Sequence, residues 1–281
     1  MDLIFKMLEV EPITNPSFTF NGNVVAINGN LPALRAHKRF IKWDLNRIWD
    51  DLILKELSNK KRDFLIAEEK ELIILKRTID HYIAKYRSEK VVILDLHTTT
   101  ADGGIFTLPT SDEESMRIAR AIHAPVITGL IDQLFGTCIQ YYMGYYTHTR
   151  VIGVVFEGGQ HDDPLSVNRS IAAVINCMRT IGCVQQDHIE NRHDELLVEY
   201  SSGLPKIARL SYWHKIEEED GFQMEPNFLN FQQVERGMLL AYDRNGPIYA
   251  PEDGLIIMPL YQKQGNDGYF IVEVLDKYKN G

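Results

Sequence analysis

Three short segments combine reactive side chains with positions at the ends of apolar runs. They are Arg39-Phe40 leading into Asp44-Leu45-Asn46-Arg47, then Asp95-Leu96-His97-Thr98-Thr99, then Phe156-Glu157-Gly158-Gly159. In that order they supply two arginines and an amide, an imidazole of the kind that binds metals, and a carboxylate able to shuttle a proton. These are the parts needed for metal-assisted hydrolysis of an amide that carries a free carboxylate. A catalytic zinc needs about three protein donors, and a single one is evident here.

Each of these residues also has a plainer reading. His97 stands just past an apolar run, at the carboxyl end of a strand, where α/β sheets bind ligands. Alone it reads equally as a satisfied hydrogen-bonding residue. Asp95, on the same strand face, either supports His97 or caps the strand end. Glu157 precedes two glycines that would let a substrate approach the backbone closely. That suits a general base beside a metal-bound water, but also a surface glutamate at a turn. Asn46 and Arg47 offer a fork of donors suited to a carboxylate, and Arg39 could stabilise the oxyanion of an attacked carbonyl. An isolated arginine reads as readily as half of a surface salt bridge. Arg35, His37 and Lys38 read as solvated neighbours.

The elements that must position these residues follow from periodicity. Leu3, Ile4, Met7 and Leu8 are spaced as one helix face. Turn signals at Asn15-Pro16 and Asn21-Gly22-Asn23 lead into Val24-Val25-Ala26-Ile27, expected as a short buried strand. Residues 68–90 form the clearest helix, with Leu72, Leu75, Ile79 and Ile83 on one stripe and charges opposite. Val91-Val92-Ile93-Leu94 follows at once, a β-branched run expected as a parallel strand covered on both faces. Ser111-Asp112-Glu113-Glu114 is a capping box before a helix over 116–122. Residues 126–127 and 151–156 read as strands, the second ending at Glu157. Asp163-Pro164 should start a helix through Arg179. Strands alternating with helices indicate an α/β fold with a mostly parallel sheet flanked by helices. After about Leu204 short alternating runs with turns suggest a small antiparallel β domain, so the expected division is 1–204 and 205–281.

With 281 residues the chain can bury a substantial core. A net charge of −9 argues against nucleic-acid or acidic-membrane binding, which need a basic face. A small anionic substrate remains compatible, because a local arginine pair outweighs a distant field across about 8–10 Å of screening. Cys138, Cys177 and Cys183 lack CxxC spacing and read as reduced residues of a cytosolic protein. No apolar stretch reaches the roughly 18–20 residues of a membrane span. Residues 1–8 lack a basic n-region and a cleavage site, so no signal peptide is expected and a cytoplasmic location is. Self-association is left open.

Together the segments resemble the succinylglutamate desuccinylase/aspartoacylase family, relatives of the zinc carboxypeptidases. The matching stretches are Asn28-Gly29-Asn30 through Arg39-Phe40 and Asp44-Leu45-Asn46-Arg47, then Asp95-Leu96-His97-Thr98-Thr99, then Val155-Phe156-Glu157-Gly158-Gly159-Gln160-His161. The run from Ala250-Pro251-Glu252-Asp253-Gly254 to Asp267-Gly268-Tyr269-Phe270 resembles the family's appended β domain. The resemblance implies a zinc-dependent amidohydrolase that deacylates a small N-acyl amino acid. It implies His97 as a zinc ligand, Glu157 as the catalytic carboxylate, Arg39 as the oxyanion group, and Asn46 with Arg47 as the carboxylate-holding pair. Tyr261 lies where the β domain could border the site.

One part of the family pattern is missing. The family's first two zinc ligands come from a His-x-x-Glu pair just before a helix, and this sequence begins with that helix, at Met1-Asp2-Leu3-Ile4. His214-Lys215-Ile216-Glu217 has the spacing, but it follows the catalytic glutamate in sequence and reads as a decoy. His161 is a weak substitute. The expectation is therefore an internal start, by fragment or misplaced initiation codon, favoured over a shortened homologue that binds ligand without zinc. An acyl-carrier role would need a lysine at a hairpin tip, and Asp253-Gly254-Leu255 offers none.

Overall fold

The computed structural model describes residues 2–143, 146 and 149–275. Helices α1 (Asp2–Thr14), α2 (Leu31–Arg35), α3 (Asp51–Asn59) and α4 (Ala67–Tyr86) precede β1 (Lys90–Thr99). Then come β2 (Phe106–Pro109), α5 (Glu113–Ala121), β3 (Val126–Thr128), α6 (Cys138–Met143), β4 (Arg150–Gln160), α7 (Ser166–Thr180) and α8 (Asp194–Tyr200). The remainder is β5 (Ile207–Lys215), β6 (Gln223–Met224), β7 (Gln232–Val234), β8 (Leu239–Asp243), β9 (Gly246–Tyr249), β10 (Gly254–Ile257) and β11 (Asp267–Val274).

Local chemistry accounts for the helix ends. Asp50 caps α3 by accepting from Leu52 and Ile53 N–H at 2.8 and 3.1 Å, and Asp112 caps α5 through Glu114 and Ser115 N–H at 2.8 and 3.2 Å. Arg87, left-handed at φ 48°, ends α4, and β1 begins at Lys90.

The strands form an eight-stranded sheet in the order β1-β4-β2-β3-β5-β11-β10-β7 and a three-stranded sheet β6-β8-β9. Hydrogen bonds from Arg150 N to Glu89 O (3.1 Å) and from His161 N to Thr99 O (3.0 Å) at the two ends of the pair show that β1 and β4 run parallel. β2 with β3 and β3 with β5 are also parallel, while β2 with β4 and the pairs joining β5, β11, β10 and β7 are antiparallel. The fold is α/β, a mostly parallel core flanked by helices, with a small antiparallel β part. No helix among the described residues is long and apolar enough to cross a membrane.

Two compact units divide the chain. One comprises Met1–Gly22, Leu94–Ile131 and Val154–Gly281; the other comprises Asn23–Ile93 and Asp132–Gly153. A core of Met224, Phe228, Val234, Leu240, Ile256, Tyr269 and Ile271 lies in the first. In the second, Leu45, Ile48, Trp49, Leu57, Leu72, Leu75, Ile83, Tyr142 and Val151 pack together. Cys177 and Cys183 are free thiols, and burial pushes the Cys177 thiol up to about 12, which makes it inert.

Four sequence expectations change. Residues 24–27 form no strand, and Val25 and Ile27 are exposed; a β-branched run needs a ladder partner, and none is described for it. β1 is half-buried along most of its length because it ends the sheet. β4 runs on to Gln160, so Glu157 lies inside the strand, paired opposite Phe106. In α4 the charges are not all opposite the apolar stripe: Glu68, Glu69 and Glu71 are 0%, 2% and 8% exposed. They are buried because each meets donors left open elsewhere. Glu69 caps Ile66 N–H at 2.9 Å and pairs with Lys60 at 2.8 Å, while Glu68 and Glu71 bind backbone N–H groups of residues 31–42.

Candidate active site

In the first unit β1 carries Asp95 and His97 two residues apart, on one face of the strand. His97 Nε2 lies 3.0 Å from Asp95 Oδ2. Burial works to raise the Asp95 carboxyl, but the facing imidazole and its hydrogen bond outweigh it and hold the group below the usual range. On the neighbouring strand Glu157 is 4% exposed. The parallel pairing of β1 with β4 brings these two strand ends together. Thr98 Oγ1 is 2.7 Å from His161 Nδ1, just beyond them.

The last residues of β4 after Glu157 depend on a residue that sequence reading missed. Gly159 has φ +108°, and a Cβ there would lie 2.7 Å from Arg169 Nη1. Arg169 is 1% exposed. Its Nη1 donates to Gly158 O at 3.3 Å and to Asp163 Oδ2 at 2.6 Å, and its guanidinium lies 3.5 Å from the centre of the Tyr200 ring. The signal in the sequence is slight: Arg169 sits on the apolar face of α7, three and four residues from Ala172 and Ala173.

Asn230 was also missed, and nothing in its sequence surroundings marks it. It is 2% exposed and its amide donates to Thr99 Oγ1 and Ala101 O at 3.2 and 3.1 Å while accepting from Met258 N–H at 2.7 Å. It thus fixes the backbone that leaves β1. Tyr261 caps a turn, its hydroxyl accepting from Phe228 N–H at 2.7 Å and donating to Glu225 O at 3.0 Å. His214 lies in β5, stacked on Tyr269 with ring centres 4.9 Å apart, and burial pushes its imidazole down.

In the second unit Arg39, Asn46 and Arg47 stand on irregular backbone. Arg39 Nε and Nη2 reach Asp44 Oδ2 at 2.9 and 2.8 Å. Asp44 Oδ1 accepts from Asn46 N–H at 3.0 Å, opening a single 3-10 turn. Burial works to raise the Asp44 carboxyl, yet the Arg39 and Arg47 charges, with hydrogen bonds from Arg39 and the Asn46 N–H, hold it low. Asn46 Oδ1 accepts from Cys138 N–H at 3.0 Å, and Arg47 Nη1 donates to Asn46 O at 2.8 Å. Gly136, at φ +71°, closes against this turn: a Cβ there would sit 2.3 Å from Arg47 O, and Gly136 O accepts from Trp49 N–H at 3.1 Å.

Among the described residues a zinc ion at His97 finds too few donors. Among the described residues no group of three or more His, Cys, Asp or Glu side chains is assembled to hold a metal. The donor set described does not fit a catalytic zinc.

Residues 13–179 match the family described as Succinylglutamate desuccinylase/Aspartoacylase catalytic domain. Among solved structures, succinylglutamate desuccinylase from Vibrio cholerae is similar at TM-score 0.60 and 18% identity, covering 95% of this chain and 76% of that one. Succinylglutamate desuccinylase/aspartoacylase from Rhodobacter sphaeroides matches at 0.56 and 14%, covering 89% and 73%. Murine aminoacylase 3 matches at 0.54 and 14%, covering 96% and 89%. At these identities the structures speak to the fold alone. A comparison with curated proteins found no match.

Proposed function

The chain belongs to the succinylglutamate desuccinylase/aspartoacylase family, and on that premise we propose that it hydrolyses the amide bond of a small N-acyl amino acid or a similar carboxylate-bearing amide. The observation that carries this reading is Glu157, a buried carboxylate in the carboxyl-terminal half of β4 that is followed by two glycines. In hydrolysis water adds to the amide carbonyl, and the products are a carboxylate and an amine. Glu157 takes a proton from the attacking water and returns it to the leaving amine. Arg39 stabilises the oxyanion, and Asn46 with Arg47 holds the substrate's carboxylate. Those three roles rest on the family resemblance. They are supported by the way Asp44, Cys138 N–H and Gly136 fix the backbone of residues 44–49. Zinc dependence comes from the resemblance alone; the described donors do not fit that ion, and the steps proposed are those of the chain's own residues. The free thiols of Cys177 and Cys183 favour a reducing, cytoplasmic setting.

The donor set described around His97, too small for a catalytic zinc, favours one second reading, in which the protein binds such a ligand without turnover. Assay of the purified protein with N-succinylglutamate and N-acetylaspartate, with added zinc and with chelator, separates the two. Turnover that falls at least ~100-fold in Glu157→Gln, with ligand affinity retained, supports the hydrolase. Unchanged turnover in that variant removes Glu157 as the base, and binding without amine release selects the second reading.

A further inference from the structure

We propose that Glu68 is a positioning residue, whose buried carboxylate anchors the exposed loop bearing Arg39 and so sets the place of Arg39, Asp44 and the Asn46-Arg47 pair. The inference rests on reading those side chains as the group that meets the substrate's carboxyl and carbonyl oxygens.

The loop itself has little to hold it. Residues 34–43 are exposed apart from a half-buried Phe40. At its start Ala36, His37 and Lys38 N–H bond back to the carbonyls of α2. At its end Asp44 binds Arg39 and Asn46 N–H. Between them the N–H groups of Ile41 and Lys42 both donate to Glu68 Oε1, at 2.5 and 3.3 Å. One turn along the same helix face, Glu71 accepts from Leu31 N–H at 3.2 Å. Two glutamates of α4 therefore hold the two ends of residues 31–42.

Burying an ionised carboxylate is costly unless hydrogen bonds and charge offset it. Glu68 is 0% exposed, and its Oε2 has no hydrogen-bond partner among the described residues. The offset comes from the two loop N–H groups and from its place in the first turn of α4, where the helix end favours an anion. Glu69 spends its carboxylate differently, on the helix's own cap and on Lys60. Anchored at 41–42, the loop has only one residue of freedom on either side, Phe40 before reaching Arg39 and Trp43 before reaching Asp44. Release of that anchor lets the Arg39–Asp44 pair swing out and slackens the approach to Asn46.

The test uses the full chain with Glu68→Ala, Glu68→Gln and Arg47→Ala. Amide hydrogen exchange of residues 37–46 is measured with N-acetylaspartate affinity by calorimetry. Glu68→Ala should speed exchange at Ile41 and Lys42 and weaken the probe, each at least ~10-fold, as expected for loss of hydrogen bonds to a charged acceptor. Glu68→Gln, which keeps an acceptor oxygen, should restore both. If Glu68→Ala does not fold, Glu68→Asp replaces it, keeping the charge but withdrawing the reach. Protected Ile41 and Lys42 amides in the short variant overturn the proposal. So does unchanged affinity there when Arg47→Ala weakens the probe. A wild-type chain with no affinity, matched by Arg47→Ala, overturns the proposed function instead; the exchange rates then decide alone whether Glu68 anchors the loop.

Discussion

The two units hold their candidate residues by opposite means. In the first, Glu157 stands on a strand whose neighbours are set by paired backbone groups, from Phe106 opposite Glu157 to Pro109 opposite Val154. His97 stands on the adjacent strand, placed by the same sheet. In the second, Arg39, Asn46 and Arg47 stand on backbone with no ladder at all. Their places come from a few side-chain hydrogen bonds made by Glu68, Asp44 and Asn46, and from one close approach at Gly136. A ladder shares the task among many peptide groups, so no one side chain decides it. A loop concentrates the task, and each anchor becomes a point of failure.

The change that breaks this contrast most severely is Arg169→Met, because there the strand-held unit does rely on one side chain. Arg169 is almost wholly buried, while its partner Asp163 is 22% exposed. Removing one partner of a fully buried pair costs about 3–5 kcal/mol; here water reaches the carboxylate left behind, so the lower end, about 3 kcal/mol, is expected. Chemical denaturation should show a loss of that size. A loss under about 1 kcal/mol, the level of an exposed pair, would mean that the ladder alone fixes the end of β4 after Glu157.

What the sequence disclosed follows the same division. Strands and helices were legible because their apolar periodicity extends over many residues, as in α4, α7 and β4. The position of β3 was legible for a similar reason, and so was the start of α5, although Asp112 rather than the first residue of the expected capping box is the cap; β5, which joins the main sheet beside β3, was not read as a strand. The loop anchors were not. Glu68, Glu69 and Glu71 look like a solvated helix start, since nothing local tells that their acceptors will meet Ile41, Lys42, Lys60 and Leu31. Asn230 and Arg169 act across more than a hundred and about ten residues respectively, distances at which a single sequence carries no pairing signal. The run 24–27 failed for the converse reason: local β propensity was present and a ladder partner was not.

A smaller effect is expected from Arg47→Ala. If Arg47 holds the ligand's carboxylate, its removal should cost about 1.5–3 kcal/mol in probe affinity, with stability nearly unchanged. Equal affinities would remove Arg47 from ligand recognition and leave the 3-10 turn as structure only. Gly136→Ala sharpens the same point from behind. It places a Cβ against Arg47 O at a left-handed φ, strain of order 1–3 kcal/mol. Its denaturation midpoint should fall, and the Asn46 and Cys138 amide resonances should move. Unmoved resonances would show that the turn is held without the Gly136 contact.

The smallest effect, and the most local, is the titration of Asp44. Its carboxyl is held low by Arg39, Arg47 and two hydrogen bonds, against a burial effect in the other direction. A carboxyl depressed in the folded state contributes stability above its unfolded value, near about 3.9, and loses it as pH falls through the lower folded value. Asn46 N–H donates to Asp44 Oδ1 at 3.0 Å, so its amide proton reports the charge directly. In an NMR titration that resonance should move with a midpoint below about 3.9, while the ladder amides of Val154 to Phe156 hold still. Asp44→Asn should abolish the movement. A midpoint at or above the ordinary value would mean that the arginines do not hold Asp44 in solution. The loop would then be set by Glu68 and Cys138 alone, and Arg39 would lie within the anchored segment without its ion pair to Asp44.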